Sequence, residues 1–268
     1  MKTLTFGSLF TGIGGLDLGF ERAGMRCLWQ SEVNPYCIEI LKKNWPSVLQ
    51  LGDIGTLRFP PYVDLICGGF PCQPYSQAGR REGEKDKRNL WPSMFRVIRE
   101  VKPRWVVGEN VPGLLNFAYF KKICCDLEGE GYEVLPLEFP AAAVGAPHIR
   151  YRLFIMAHTY STGREEQRGA FSVSAAHFAS ERGSDVIPYP NCNNKQRGSS
   201  AVQVGGTRST SKIEKNGYAY GTQWEIEPSV GRVADGIPHR VDRLKALGNA
   251  VVPQVAEWIG RIIVNCEE

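Results

Sequence analysis

Residues 4–23 read LTFGSLFTGIGGLDLGFERA, and the architecture follows from them. Leu4–Phe10 is an apolar run of strand length, and Leu16–Ala23 has helical spacing. Between them Gly12, Gly14 and Gly15 stand where a strand turns into a helix. Glycines there let the backbone approach a ligand closely and aim helix-start N–H groups at its polar end. The pattern departs from the dinucleotide fingerprint, because Asp17 occupies the place of its third glycine. Glu32 nevertheless follows Gly12 by 20 residues, at the end of the next strand-like run. A carboxylate in that position accepts hydrogen bonds from ribose hydroxyls. Loop and carboxylate together predict a cofactor that carries a ribose. Asp53, within Leu51-Gly52-Asp53-Ile54, is a candidate acceptor for an adenine amino group and otherwise a turn residue.

Outward from this stretch, strand-like and helical segments alternate. Cys27–Ser31 is a second strand, and Asn34–Asn44 is an amphipathic helix with Pro35 in its first turn. Val63–Cys67, Trp105–Val107, Tyr132–Phe139 and Arg152–Ala157 are further strands; Leu90–Val101 and Leu114–Glu128 are helices. Strands alternating with helices of this length predict an α/β fold with a mostly parallel sheet. The texture changes at about 159. From there to 222 the chain is rich in Ser, Gly, Asn and Thr, too long for an ordinary loop, and reads as a small irregular domain or insertion. Val251–Val264 reads as a C-terminal helix.

The chain has 268 residues, 43% hydrophobic and 22% charged, which suits one large globular domain with a small appendage. No run reaches the roughly 18 apolar residues of a membrane span, and the N-terminus lacks the apolar core of a signal peptide. The eight cysteines form no CxxC pair and the four histidines no HExxH, so reduced thiols and no metal are expected. A net charge of +4 points only weakly to a nucleic-acid partner.

Chemistry concentrates where strands end. Gly68-Gly69-Phe70-Pro71-Cys72-Gln73-Pro74 follows the third strand directly. A cysteine among turn formers and polar groups at the carboxyl end of a strand is held out as a nucleophile, whereas Cys27, Cys37, Cys124, Cys125 and Cys266 suit small buried hydrophobes. Glu109, in Gly108-Glu109-Asn110-Val111, ends the following strand on the same edge, where partial desolvation would raise its pKa and let it donate a proton. Arg150 and Arg152, in Pro147-His148-Ile149-Arg150-Tyr151-Arg152, are expected to project from one face of a strand toward a phosphate or a base edge. Gly79–Arg88 is a charged run just after Cys72, and Leu247-Gly248-Asn249-Ala250-Val251 precedes the last helix.

The ordered set FTGIGG, SEVNP, GDI, GGFPCQPYS, GENV, PHIRYRLF and LGNAVVP resembles the DNA (cytosine-5) methyltransferase family over residues 4–158 and about 232–264. The resemblance implies a Rossmann-like methyltransferase fold, S-adenosyl-L-methionine as methyl donor, no metal, and double-stranded DNA as substrate. It implies a catalytic and donor-binding domain over 1–158, a target recognition domain over 159–231, and a return to the catalytic domain over 232–268. The catalytic residues it implies are Cys72, Glu109, Arg150 and Arg152. The donor contacts are Phe10, Gly12, Gly14, Gly15, Leu16, Glu32, Val33, Asp53, Ile54, Gly69, Asn249 and Ala250. The charged run becomes a loop that closes on DNA. A cytoplasmic monomer is expected, with a cognate restriction endonuclease as a candidate partner. Departures are Ser8 where the family usually has aspartate, Val33 where an aromatic ring often stacks on adenine, and His148 for the usual glutamine. The same chemistry would serve an RNA cytosine-5 methyltransferase, and a catalytically silent DNA-binding protein is the rival of another class.

Overall fold

The computed structural model describes residues 3–71, 89–159 and 239–267, together with the two-residue strand Asp185–Val186. Cys72, the run Gly79–Arg88 and nearly all of 159–231 lie outside the described residues.

The strands are β1 (Thr5–Leu9), β2 (Arg26–Ser31), β3 (Leu49–Gln50), β4 (Leu65–Gly69), β5 (Trp105–Asn110), β6 (Glu133–Pro140), β7 (Tyr151–His158) and β8 (Asp185–Val186). They form one sheet in the order β3-β2-β1-β4-β5-β7-β6-β8. Pairings among β1 to β5 are parallel. β7 runs antiparallel to both β5 and β6, and β8 antiparallel to β6, so the parallel expectation holds for the half of the sheet that starts the chain. The chain between β6 and β7 holds only a short 3-10 turn, Ala141–Val144. A connection that short closes a hairpin and cannot make a crossover.

The helices are α1 (Gly15–Arg22), α2 (Pro35–Asn44), α3 (Trp91–Val101), α4 (Ala118–Gly129), α5 (Arg240–Asn249) and α6 (Pro253–Glu267). Asn34 caps α2, its side-chain oxygen accepting from the N–H groups of Tyr36 at 3.0 Å and Cys37 at 3.3 Å. The single helix expected over Leu114–Glu128 is instead a 3-10 turn, Pro112–Asn116, and α4, divided where Phe117 is extended (φ −113°, ψ 143°). α5 was not expected from the sequence, although Val241, Leu244 and Leu247 recur in it three residues apart.

Both faces of the sheet are covered, and alternation along the strands feeds two cores. Leu65, Cys67, Trp105 and Val107 pack with Leu16 and Phe20 of α1 and Val255, Ala256 and Ile259 of α6. Ile66 and Val106 face the other way, onto Met94, Val97 and Ile98 of α3 and Ile123 and Leu127 of α4. Asp17, which breaks the glycine fingerprint, is fully buried at the start of α1. Its carboxylate accepts from Ser8 Oγ at 2.9 Å and Gln30 Nε2 at 2.7 Å, and Gln50 Nε2 donates in turn to Gln30 Oε1 at 2.6 Å. Cys27, Cys37, Cys67, Cys124 and Cys266 are free thiols, whereas Cys125 is disulfide-bonded, against the expectation of reduced thiols throughout. Among the described residues no helix is long and apolar enough to cross a membrane, and no cluster of His, Cys, Asp or Glu is arranged to hold a metal.

Candidate active site

Because β1, β2, β4 and β5 are parallel, the loops that follow them meet at one edge. β1 has β2 on one side and β4 on the other, so the strand order reverses there, which is where open α/β sheets bind ligands.

The glycine loop after β1 is tightly wound. Phe10 (φ 53°), Gly12 (φ 58°) and Gly14 (φ 84°) are left-handed within five residues. Glu32, at the end of β2, pins the loop: its Oε2 accepts from Gly12 N at 2.7 Å, while its Oε1 accepts from Val33 N and Asn34 N, each at 2.8 Å. Thr11 N donates to Ser31 O at 3.3 Å. The start of α1 then runs against the α5–α6 junction so closely that a Cβ on Gly15 would lie 2.5 Å from Val251 O.

A cavity of about 160 Å³ lies between loop and junction. Phe10, Gly12, Gly15, Leu16 and Glu32 line one side, Asn249 and Ala250 the other, and Gly69 and Glu109 lie at its inner end. Eight of the expected donor contacts therefore come together with one expected catalytic residue. Four do not. Gly14 caps α1 behind the loop, and its added Cβ would strike Trp45 at 2.5 Å. Val33 is 63% exposed. Asp53 holds its own turn, Oδ1 accepting from Gly55 N at 2.8 Å. Ile54 is buried in the second core beside Leu57 and Trp29. Asp53 and Ile54 thus stand outside the lining of this cavity. Asp242 and Lys245 of α5, together with Thr11, Ile13, Asn34 and Cys37, line the cavity without having been singled out in the sequence.

β5 is buried along its whole length, and its register sets Glu109 opposite Gly69. Glu109 is 8% exposed, with Oε1 paired to Arg152 Nε at 2.9 Å. Burial pushes its carboxyl up to about 7; Arg152 and Arg150 pull the other way and are outweighed. At neutral pH the group is therefore present in both protonated and ionised forms. Asn110, next along, clamps the chain leading to Cys72: its Nδ2 donates to Phe70 O at 2.9 Å and its Oδ1 accepts from Val111 N at 2.9 Å. This amide went unassigned in the sequence, where nothing distinguishes a clamping asparagine from one in an ordinary turn.

The two arginines do not share a strand face. Arg152 lies in β7 and turns to Glu109. Arg150 precedes the strand in a left-handed conformation (φ 38°), and its Nη2 donates to Gly248 O at 2.7 Å and Ala250 O at 2.8 Å. The expectation that both arginines project from one strand face is corrected accordingly: β7 starts only at Tyr151, and the left-handed turn at Arg150 sends its side chain to the junction.

A sheet in this order, with a glycine loop and a carboxylate-bearing strand end around one cleft, defines a Rossmann-like methyltransferase. The profile described as C-5 cytosine-specific DNA methylase matches residues 4–227, and the chain belongs to that family. It is 37% identical over 163 residues to the type II methyltransferase M.HgiCII of Herpetosiphon aurantiacus, covering 58% of this chain and 37% of that protein. It is likewise 37% identical over 164 residues to the type II methyltransferase M.NgoFVII of Neisseria gonorrhoeae, covering 58% of this chain and 44% of that one. The chain thus spans less than half the length of these curated relatives. The solved Spodoptera frugiperda DNMT2 superposes with a TM-score of 0.52 at 21% identity, over 60% of this chain and 51% of that one, a likeness of fold.

Proposed function

We propose that the protein is a DNA (cytosine-5) methyltransferase, acting on carbon 5 of a cytosine flipped out of duplex DNA through a covalent adduct with Cys72. The observation that carries this reading is the Glu109–Arg152 pair at the inner end of the cavity, a carboxyl poised near 7 and oriented by a fixed cation.

The cavity suits S-adenosyl-L-methionine. Gly15 allows close approach of loop and junction, Glu32 stands at the β2 end for ribose hydroxyls, and Asn249 offers a polar group opposite. When bound, this cofactor supplies an electrophilic methyl group. The protein's own work begins with the Cys72 thiolate, which adds to carbon 6 and makes carbon 5 nucleophilic. Glu109 holds or donates a proton at nitrogen 3, so that charge does not build on the ring. Arg152 orients Glu109 and favours anionic groups nearby. Once carbon 5 carries its methyl group, loss of its proton to water and expulsion of Cys72 restore aromaticity. A stacked base is out of reach of such a site, so flipping, at a cost of a few kcal/mol, is part of the reading.

In the same reading 159–231 form the target recognition domain and 232–268 return to the catalytic domain. The protein is then a cytoplasmic monomer, with a cognate restriction endonuclease as its candidate companion. Labelled methyl groups should pass from S-adenosyl-L-methionine to duplex DNA, and the DNA of an expressing host should carry 5-methylcytosine in one sequence context. Labelling of tRNA in preference to DNA, or of neither, overturns the proposal.

A further inference from the structure

α5 buries none of its side chains, yet Asp242, Lys245 and Asn249 form one wall of the cavity. Apolar packing therefore does not fix that wall. On the C-terminal side it is continuous with α6, whose Val255, Ala256 and Ile259 are buried in the core. On the other side one polar attachment is Arg150, which reaches the junction across 98 residues of sequence to Gly248 O and 100 to Ala250 O.

We propose that Arg150 is a positioning residue for the donor cleft: it clips the α5–α6 junction to the start of β7 and thereby sets Asn249 and Ala250 in register with Glu109. Three observations converge on this. The carbonyls at a helix C-terminus lack intrahelical partners and lie at the negative end of the helix dipole, so a cation is their matched cap. The left-handed backbone at Arg150 (φ 38°), uncommon for a residue with a Cβ, directs its side chain to the junction while Arg152, two positions on, turns to Glu109. β7 also pairs with β5 so that Leu153 faces Asn110 and Phe154 faces Glu109. The clip therefore starts from the strand that flanks the catalytic carboxyl. Arg152 is paired directly with Glu109, whereas Arg150 reaches it only through its charge and spends its hydrogen bonds on the cleft wall.

The proposal rests on reading the cavity as the donor site, and two measurements on the full chain separate the two ideas. Deuterium exchange reads the clip without any ligand. In Arg150→Met the amides of residues 243–250 should exchange about tenfold faster, while β1, β4 and β5 keep wild-type protection. Arg150→Lys, which keeps the charge but not the reach and planar geometry of the guanidinium, should fall between, and it keeps the test readable should the Met variant fail to fold. Unchanged protection in α5 overturns the proposal. Calorimetry with S-adenosyl-L-methionine reads the consequence: affinity about tenfold weaker in Arg150→Met and partly restored in Arg150→Lys. Intact donor affinity with a collapsed kcat also overturns it, since Arg150 would then act on the base. A wild-type protein that binds no donor, but whose Arg150→Met variant shows the exchange difference, keeps the clip and fails the donor reading alone.

Discussion

Glu109 is pulled in two directions, and the balance has a kinetic signature. Burial raises its carboxyl to about 7 against the pull of Arg152, and the proposed role needs the protonated form. Methyl transfer should therefore fall as pH rises through about 7. Glu109→Gln, which cannot titrate, should lose that alkaline limb and lower kcat by roughly 10²–10⁴. Profiles of kcat against pH with both substrates saturating check this; an unchanged alkaline limb in the variant assigns the proton elsewhere. Cys72 makes a separate claim. Cys72→Ala should abolish transfer and leave donor affinity nearly intact, and duplex DNA carrying 5-fluorocytosine should trap only the wild type, on a peptide containing Cys72. Transfer by Cys72→Ala near the wild-type rate would end the covalent reading.

Among the elements, the contact between α1 and α6 depends on a missing side chain. A Cβ on Gly19 would lie 2.4 Å from both Ala256 Cβ and Pro253 O. Gly19→Ala should part the two helices and cost roughly 1–3 kcal/mol in urea unfolding. Gly113→Ala, where a Cβ meets nothing within 4 Å, should stay within about 0.5 kcal/mol. A Gly19 variant as stable as the Gly113 one would mean that the helices shift freely. Elements of this kind were legible in the sequence where burial imposes a period. β1, β2, α2 and α3 fall within a residue or two of their expected bounds because each must bury a face. α5 escaped although Val241, Leu244 and Leu247 recur at helical spacing; the structure leaves all three exposed, so that rhythm marks no buried face. The antiparallel β6–β7 pair escaped because apolar runs reveal strands but not their direction. Site residues followed the same division. Glu32 was legible from its distance to the glycine loop; the turn role of Asp53 and the clamp at Asn110 depend on local bonds that spacing does not encode.

For the whole molecule, the buried chain from Gln50 through Gln30 to Asp17 and Ser8 ties β3, β2, α1 and β1 together around one carboxyl. Burial raises Asp17 from 3.8 to about 6, against the hydrogen bonds from Gln30 and Ser8. A raised acid favours folding in its protonated form. The stability linked to it is complete below about 4 and is lost as pH rises through about 6. Asp17→Asn removes this titration, and Ser8 can turn its hydroxyl to accept from the new amide. The unfolding free energy of the variant, from urea titrations, should therefore gain on the wild type between pH 4 and 7, by up to about 3 kcal/mol. Parallel midpoints across that range would show that Asp17 stays ionised in the fold. The cavity has a different consequence at this scale. Its two facing walls come from residues 10–37 and 242–251, far apart in the sequence, with Gly69 and Glu109 between them in chain order. A ribosome adding about 5–20 residues per second takes on the order of ten seconds or more to travel from one wall to the other. Throughout that interval the emerging polypeptide has half a pocket, so it becomes competent to hold its ligand only once residues 242–251 have followed.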